Sequence, residues 1–138
     1  GISFSIDERN CLIIHAPHFS VKEFVTNDVV ELVDSRNFRW IGRYDHVINT
    51  GGIKVFPELI EKKIAGLFTR RFFVTSCDDL KWGESVALVI EGEALSLEQE
   101  KILLEKIRAK VNKYEFPRKV LYVQKFKETS SGKVIRNI

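Results

Sequence analysis

Three short stretches of this 138-residue chain carry residue types able to act on phosphate or sugar groups. Near the C-terminal end, Ser131-Gly132-Lys133 sets an ammonium at the end of a small polar loop, Glu128 to Gly132, which its composition predicts to be flexible. A lysine after glycine invites a phosphate-loop reading, but that motif, GxxxxGK(S/T), needs a glycine where Lys127 stands and a hydroxyl where Val134 stands. What remains is a positive charge on a loop tip, which is also the description of an ordinary surface lysine.

The second stretch is GRYDHVINTGGIKVFPELIE, from Gly42 to Glu61. Arg43 has the fork geometry that holds phosphate or ribose oxygens. Asp45 follows it, and Gly51-Gly52 permits positive φ and leaves the backbone bare for a thin ligand. The plainer alternative is a tight hairpin beside a surface ion pair. The third stretch, Thr26-Asn27-Asp28, places a carboxylate that could accept two sugar hydroxyls, although Asp and Asn at turns often bond their own backbone.

The elements that would position these groups follow from patterning. Ile2 to Ile6 and Cys11 to Ile14 read as strands about a polar turn, and Val29 to Val33 and Phe38 to Ile41 as a hairpin about Asp34-Ser35-Arg36-Asn37. A further hairpin, Val47-Ile48 and Ile53 to Val55, turns at Asn49 to Gly52. Helical spacing begins at Pro57, with Leu59, Ile60, Ile64 and Leu67 on one face and Glu58 and Glu61 near the positive end. Strands Phe72 to Ser76 and Val86 to Ile90 flank a polar loop at Asp78 to Glu84. Ser96 to Gln99 is a capping box opening a helix with Leu103, Leu104, Ile107 and Val111 as its stripe. Pro117 ends that region and Val120 to Val123 is the last strand. The order predicts an α+β domain of short sheet and helices after an all-β opening.

Charged residues at 30% and hydrophobic residues at 44% exclude a disordered chain. The net charge is only +3, too weak to imply nucleic acid. Cys11 and Cys77 lie far apart inside apolar runs, and His15, His18 and His46 form no ligand spacing, so no metal site is expected. No apolar run reaches membrane-spanning length, so the expectation is a soluble, cytoplasmic protein with no membrane partner. The chain contains no methionine and is expected to be a piece of a longer one.

Together the three stretches resemble the ordered signatures of the adenylate-forming superfamily of acyl-CoA synthetases, aryl-CoA ligases, adenylation domains and luciferases. Members carry Thr-Gly-Asp, then Gly-Arg-x-Asp with a Gly-Gly turn and a Pro-x-Glu helix start, then a Ser-Gly-Lys loop. Here these read Thr26-Asn27-Asp28, Gly42-Arg43-Tyr44-Asp45 with Gly51-Gly52 and Pro57-Glu58, and Ser131-Gly132-Lys133. Asn27 takes the place of the usual glycine, and Lys54 stands where many members have arginine. TNDVVEL, GRYD and INTGG look most like the o-succinylbenzoate-CoA ligases of menaquinone synthesis.

The resemblance implies an ATP-dependent carboxylate-CoA ligase, with ATP, Mg2+ and coenzyme A used by the full-length enzyme and a small-molecule carboxylate as acceptor. Lys133 would be catalytic, touching the carboxylate and α-phosphate during adenylate formation. Asp28 and Arg43 would bind the nucleotide, Asp45 would be the hinge, and Gly51, Gly52 and Lys54 would line the coenzyme A channel. Residues 1–41 would be terminal strands of a large N-terminal AMP-binding domain, 42–45 the hinge and 46–138 a mobile lid. The fragment would then be inactive alone, its partner being the missing N-terminal domain of the same chain. The alternatives are another acyl- or aryl-CoA ligase of the same superfamily and, from a different class, a small basic module binding a polyanion through Arg118, Lys119, Lys125 and Lys127.

Overall fold

The computed structural model describes residues 1–20 and 22–136. The chain divides into two compact units, Gly1–Val47 and Ile48–Ile138; the last two residues of the expected lid fall outside the described residues.

The first unit is an antiparallel sheet in the order β1 (Ser3–Ile6), β2 (Cys11–His15), β3 (Glu23–Asp34), β4 (Asn37–Arg43). Asp7 makes the first turn by accepting from the backbone N–H of Arg9 at 2.8 Å and of Cys11 at 2.9 Å. Asn10 takes the left-handed conformation, with φ of 63°, which asparagine tolerates better than most residues. Asp34 builds the β3–β4 turn in the same way, accepting from Arg36 N and from the Asn37 side chain. The centre is Cys11, Leu12, Ala16, Val29 and Val30, and burial pushes the Cys11 thiol pKa up, away from reactive thiolate.

Two expectations change here. Thr26-Asn27-Asp28 does not precede a strand; it lies inside β3, which begins at Glu23. Thr26 and Asn27 fall at a register shift in the β2 ladder, between Ile13↔Val25 and Cys11↔Val29, and Asp28 pairs with Arg43 of β4; the Thr26 hydroxyl, donating to the Leu12 carbonyl at 2.8 Å, helps carry the strand across the shift. In addition, β4 runs past its expected end at Ile41 through Arg43, and Tyr44–His46 forms a 3-10 turn.

The second unit is α+β. Its five strands are β5 (Ile48–Thr50), β6 (Ile53–Val55), β7 (Phe72–Asp79), β8 (Gly83–Glu91) and β9 (Lys119–Val123). Sheet order is β6-β5-β8-β7, with β9 pairing parallel to β8. The helices are α1 (Pro57–Ile64) and α2 (Leu97–Arg108). Ser96 and Gln99 form the reciprocal capping box their spacing predicts. Ile60 and Ile64 of α1 and Ile107 of α2 pack against Val74, Val86, Leu88 and Ile90 on one sheet face. The alternate residues Phe73 and Val89 pack on the other face against Phe126, with Leu121, Val123 and Val134 around them. Both faces of β8 are therefore covered, which is why its sequence is a continuous apolar run.

The loop expected between Asp78 and Glu84 is mostly strand. Asp79 accepts from the backbone of Lys81 and Trp82, each at 2.9 Å, and Gly83 supplies φ of 84°, so β7 and β8 close in a tight hairpin.

Candidate functional site

In the first unit the expected nucleotide residues meet. Asp28 and Arg43 are direct partners across β3 and β4. The Arg43 guanidinium lies 3.0 Å from Asp28 Oδ1, and Trp40 Nε1 donates to the same oxygen at 3.2 Å. Arg43 Nε is also 3.5 Å from Asp45 Oδ1, so one arginine connects the carboxylate on β3 with the aspartate in the turn after β4.

Behind this row stands Arg9, which the sequence reading did not single out. It donates to Asn27 Oδ1 at 3.0 Å and to the Thr26 carbonyl at 3.1 Å, grips Asp7 through Nε and Nη2, and lies over the Tyr44 ring at 5.0 Å. The side chain that replaces the usual glycine is thus held in place. No spacing rule signals Arg9 as part of this row, because Thr26, Asn27 and Tyr44 are 17 or more residues away from it in sequence.

In the second unit, Gly51 and Gly52 have φ of 57° and 82°, the pair of positive values that a two-residue type I′ hairpin requires. Gly51 N donates to the Trp82 carbonyl at 2.9 Å, and a β-carbon on Gly51 would lie 2.5 Å from Trp82 Cε3, whereas one on Gly52 would meet nothing within 4 Å. Lys54 stands opposite Asn49 with its side chain exposed.

Beside this turn is a cavity of about 250 Å³ lined by Thr50, Trp82, Ser85, Tyr114, Phe116 and Arg118, among others. The Arg118 guanidinium lies 5.3 Å from the centre of the Trp82 ring. This aromatic and basic lining was missed from sequence, since Trp82 reads as a loop residue. Arg118, expected in an open basic strip, instead faces an aromatic ring.

Lys133 sits on a hairpin, not on the flexible loop that its composition predicts. Thr129 N donates to the Lys133 carbonyl, Gly132 N to the Thr129 carbonyl and Lys133 N to Thr129 Oγ1, all within 2.8–3.1 Å. Gly132 supplies φ of 85°. Serine, threonine and glycine are therefore turn-forming residues here, their hydroxyls bonding within the turn. The Lys133 side chain is exposed, and among the described residues no carboxylate pairs with it.

Among the described residues there is no group of His, Cys, Asp and Glu able to hold a metal ion, and no helix is long and apolar enough to cross a membrane.

No family model matches the chain. Among curated proteins, the uncharacterized acyl-CoA ligase YhfT of Bacillus subtilis is 32% identical over 117 residues, covering 83% of this chain and 24% of that protein. Among solved structures, an acyl-CoA synthetase (AMP-forming)/AMP-acid ligase II-like protein from Dyadobacter fermentans is 35% identical with a TM-score of 0.64, covering 99% of this chain and 40% of that one. The chain belongs to the AMP-forming acyl-CoA ligase superfamily. It spans about a quarter of the length of the curated ligases it matches. The o-succinylbenzoate CoA synthetase of Bacillus subtilis, solved with its acyl-adenylate intermediate, shares this ligase fold at 18% identity with a TM-score of 0.79, over 99% of this chain and 32% of that one.

Proposed function

We propose that this chain is the C-terminal part of an ATP-dependent carboxylate-CoA ligase, with Lys133 as its catalytic lysine. The observation that carries the reading is the exposed ammonium of Lys133, without a carboxylate partner among the described residues, on a hairpin closed by its own hydrogen bonds. A carboxylate oxygen of the substrate attacks the α-phosphorus of ATP and pyrophosphate leaves; the thiol of coenzyme A then displaces AMP from the acyl carbon. Negative charge gathers about phosphorus in the first step, and a placed ammonium lowers its energy. Mg2+ enters with the ATP phosphates as part of the substrate.

Asp28 accepts the ribose hydroxyls, with Trp40 and Arg43 fixing its carboxylate and Arg43 close enough to share the nucleotide. Asp45, exposed in the 3-10 turn after β4, is the hinge between residues 1–41, the end of a large N-terminal domain, and a lid of residues 46–138. Gly52, with nothing within 4 Å of where its β-carbon would stand, gives the pantetheine arm of coenzyme A a path past a bare backbone, with Gly51 turning the chain against Trp82 and Lys54 beside it. The cavity of Trp82, Tyr114 and Arg118 offers rings to stack on an adenine and a cation for a phosphate.

For the acyl group we propose o-succinylbenzoate, on the likeness of TNDVVEL, GRYD and INTGG to ligases of that acid. The isolated chain should then release no pyrophosphate from ATP with any carboxylate. In the full-length ligase, Lys133→Ala should abolish most adenylate formation and spare thioester formation from supplied acyl-adenylate. Equal loss in both half-reactions would sink the role given to Lys133. A panel of o-succinylbenzoate, other aryl acids and fatty acids tests the substrate, and preference for a fatty acid would overturn that part.

A further inference from the structure

The hairpin carrying Lys133 is pinned at both arms, and the pins are residues to which the ligase reading gives no role. On the C-terminal arm, Val134 packs against the Phe73–Val89–Phe126 cluster. Two residues on, Arg136 reaches Glu61 of α1 with both terminal nitrogens, at 2.5 and 2.6 Å, and donates also to the Val74 carbonyl at 3.1 Å. Glu61 in turn accepts from Val74 N at 2.8 Å. Val74 lies on β7, at the edge of the sheet, so its outward N–H and C=O are the groups an edge strand leaves unpaired. The Glu61–Arg136 pair satisfies both and joins α1, β7 and the tail at one point. On the other arm, Phe126 is buried and Glu128 meets Arg71, which also forks onto Glu91.

We infer that Glu61 and Arg136 are positioning residues for Lys133: their two-pronged pair sets where the hairpin tip stands on the second unit. The inference rests on Lys133 being the catalytic lysine. Three features support it. Arg136 is three residues from Lys133, so a slip of its anchor is transmitted with little slack. The pair is largely withdrawn from water, at 27% and 20% side-chain exposure, whereas Arg71–Glu128 is about 40% exposed on both sides. Two parallel charge-assisted hydrogen bonds also fix orientation, which a single contact does not. Lys133 is thereby delivered by movement of the whole unit instead of its own loop.

A displacement of about 1 Å at a reacting group can cost about 100-fold in rate. In the full-length ligase, Arg136→Gln and Glu61→Gln should each lower kcat for adenylate formation about 10- to 100-fold, judged by that same sensitivity. The KM for ATP and the rate of thioester formation from supplied acyl-adenylate should hold. Arg136→Lys, which keeps the charge and loses the fork, should recover part of the rate. Lys133→Ala in parallel separates the two ideas. If Lys133→Ala shows no difference between half-reactions, the catalytic role given to Lys133 fails. If it does, and the Glu61 and Arg136 variants slow both half-reactions equally or neither, the positioning role is overturned. Should the glutamine variants not fold, Glu61→Asp, which only shortens the arm, is read in the same two half-reactions with the same outcomes.

Discussion

Asp28 and Arg43 face each other across β3 and β4, and one oxygen of Asp28 takes both the Arg43 guanidinium at 3.0 Å and the Trp40 indole at 3.2 Å. About a third of each charged side chain is exposed, so the pair adds only about 0–1 kcal/mol to stability. Such a contact has more to offer a ligand than the fold. Asp28→Asn should therefore move the melting temperature of the full-length ligase by no more than about 4 °C. It should raise the KM for ATP about 10- to 100-fold, the loss expected when hydrogen bonds to a charged group worth about 1.5–3 kcal/mol are removed. Thermal melting and ATP titration check this, and a large fall in melting temperature with an unchanged KM would mean a purely structural pair.

Gly51 and Gly52 differ in what lies over them. Alanine at Gly52 meets open space and bears only the left-handed backbone, a cost of about 1–2 kcal/mol. Alanine at Gly51 bears the same cost and also drives its β-carbon to 2.5 Å from Trp82 Cε3. Gly51→Ala should thus lower the denaturant midpoint more than Gly52→Ala. Replacing Trp82 by leucine should shrink that difference, because neighbouring substitutions that share a clash are not additive. Equal midpoints for the two glycine variants would show that Trp82 yields without cost.

Most of the α+β unit was legible in the sequence because its signals are local. The Pro57 start, the Ser96–Gln99 capping box and the run from Phe72 to Ser76 each concern residues within a turn or two. What the sequence did not disclose is what long-range pairing decides. Thr26 to Asp28 looks like a break because its residues are polar, but the pairing with β2 resumes on either side of a register shift there and Asp28 pairs with Arg43, so the segment stays within the strand. Ser131-Gly132 looks flexible by composition, yet its hydroxyls close a turn whose arms are tied to residues more than 50 positions away. Trp82 and Arg118 meet only because β5, β8 and the segment before β9 converge. In the candidate site, residue types were readable one by one, whereas their partners, Arg9, Trp40, Glu61 and Arg136, were not.

Lys63 and Glu115 show the opposite balance from Asp28 and Arg43. Glu115 is only 7% exposed and accepts from Lys63 Nζ at 2.8 and 2.9 Å as well as from Asn112 N at 3.0 Å. The carboxylate thereby ties α1 to the turn after α2. Removing the lysine leaves a buried charge with the Asn112 N–H as its backbone donor, which costs more than removing an exposed partner. Lys63→Met should lower stability by about 2 kcal/mol, as for loss of a charged hydrogen bond in a partly shielded site. Lys63→Met with Glu115→Gln should recover part of it. Chemical denaturation of the parent, both single variants and the double variant decides, and additive losses would show that the pair is not coupled.

Strong acid should weaken the arm on the N-terminal side of the Lys133 hairpin. Arg71 grips both oxygens of Glu91, and Phe126 N donates to one of them at 2.8 Å. The Arg71 hydrogen bonds, with that backbone bond second, hold the Glu91 pKa at about 2, well below its ordinary 4.5. A carboxylate whose folded pKa is depressed contributes stability that is complete above its unfolded value and is lost as pH falls toward the folded one. The contribution of Glu91 should therefore be full above about pH 4.5 and decline between there and about pH 2. Glu91→Gln removes the titrating group, so the variant should be less stable at neutral pH and lose less on acidification across that window. Melting temperature against pH from 2 to 7 for both proteins is the measurement. Parallel curves would show that Glu91 does not carry the acid response, and convergence at the acid end is the expected result.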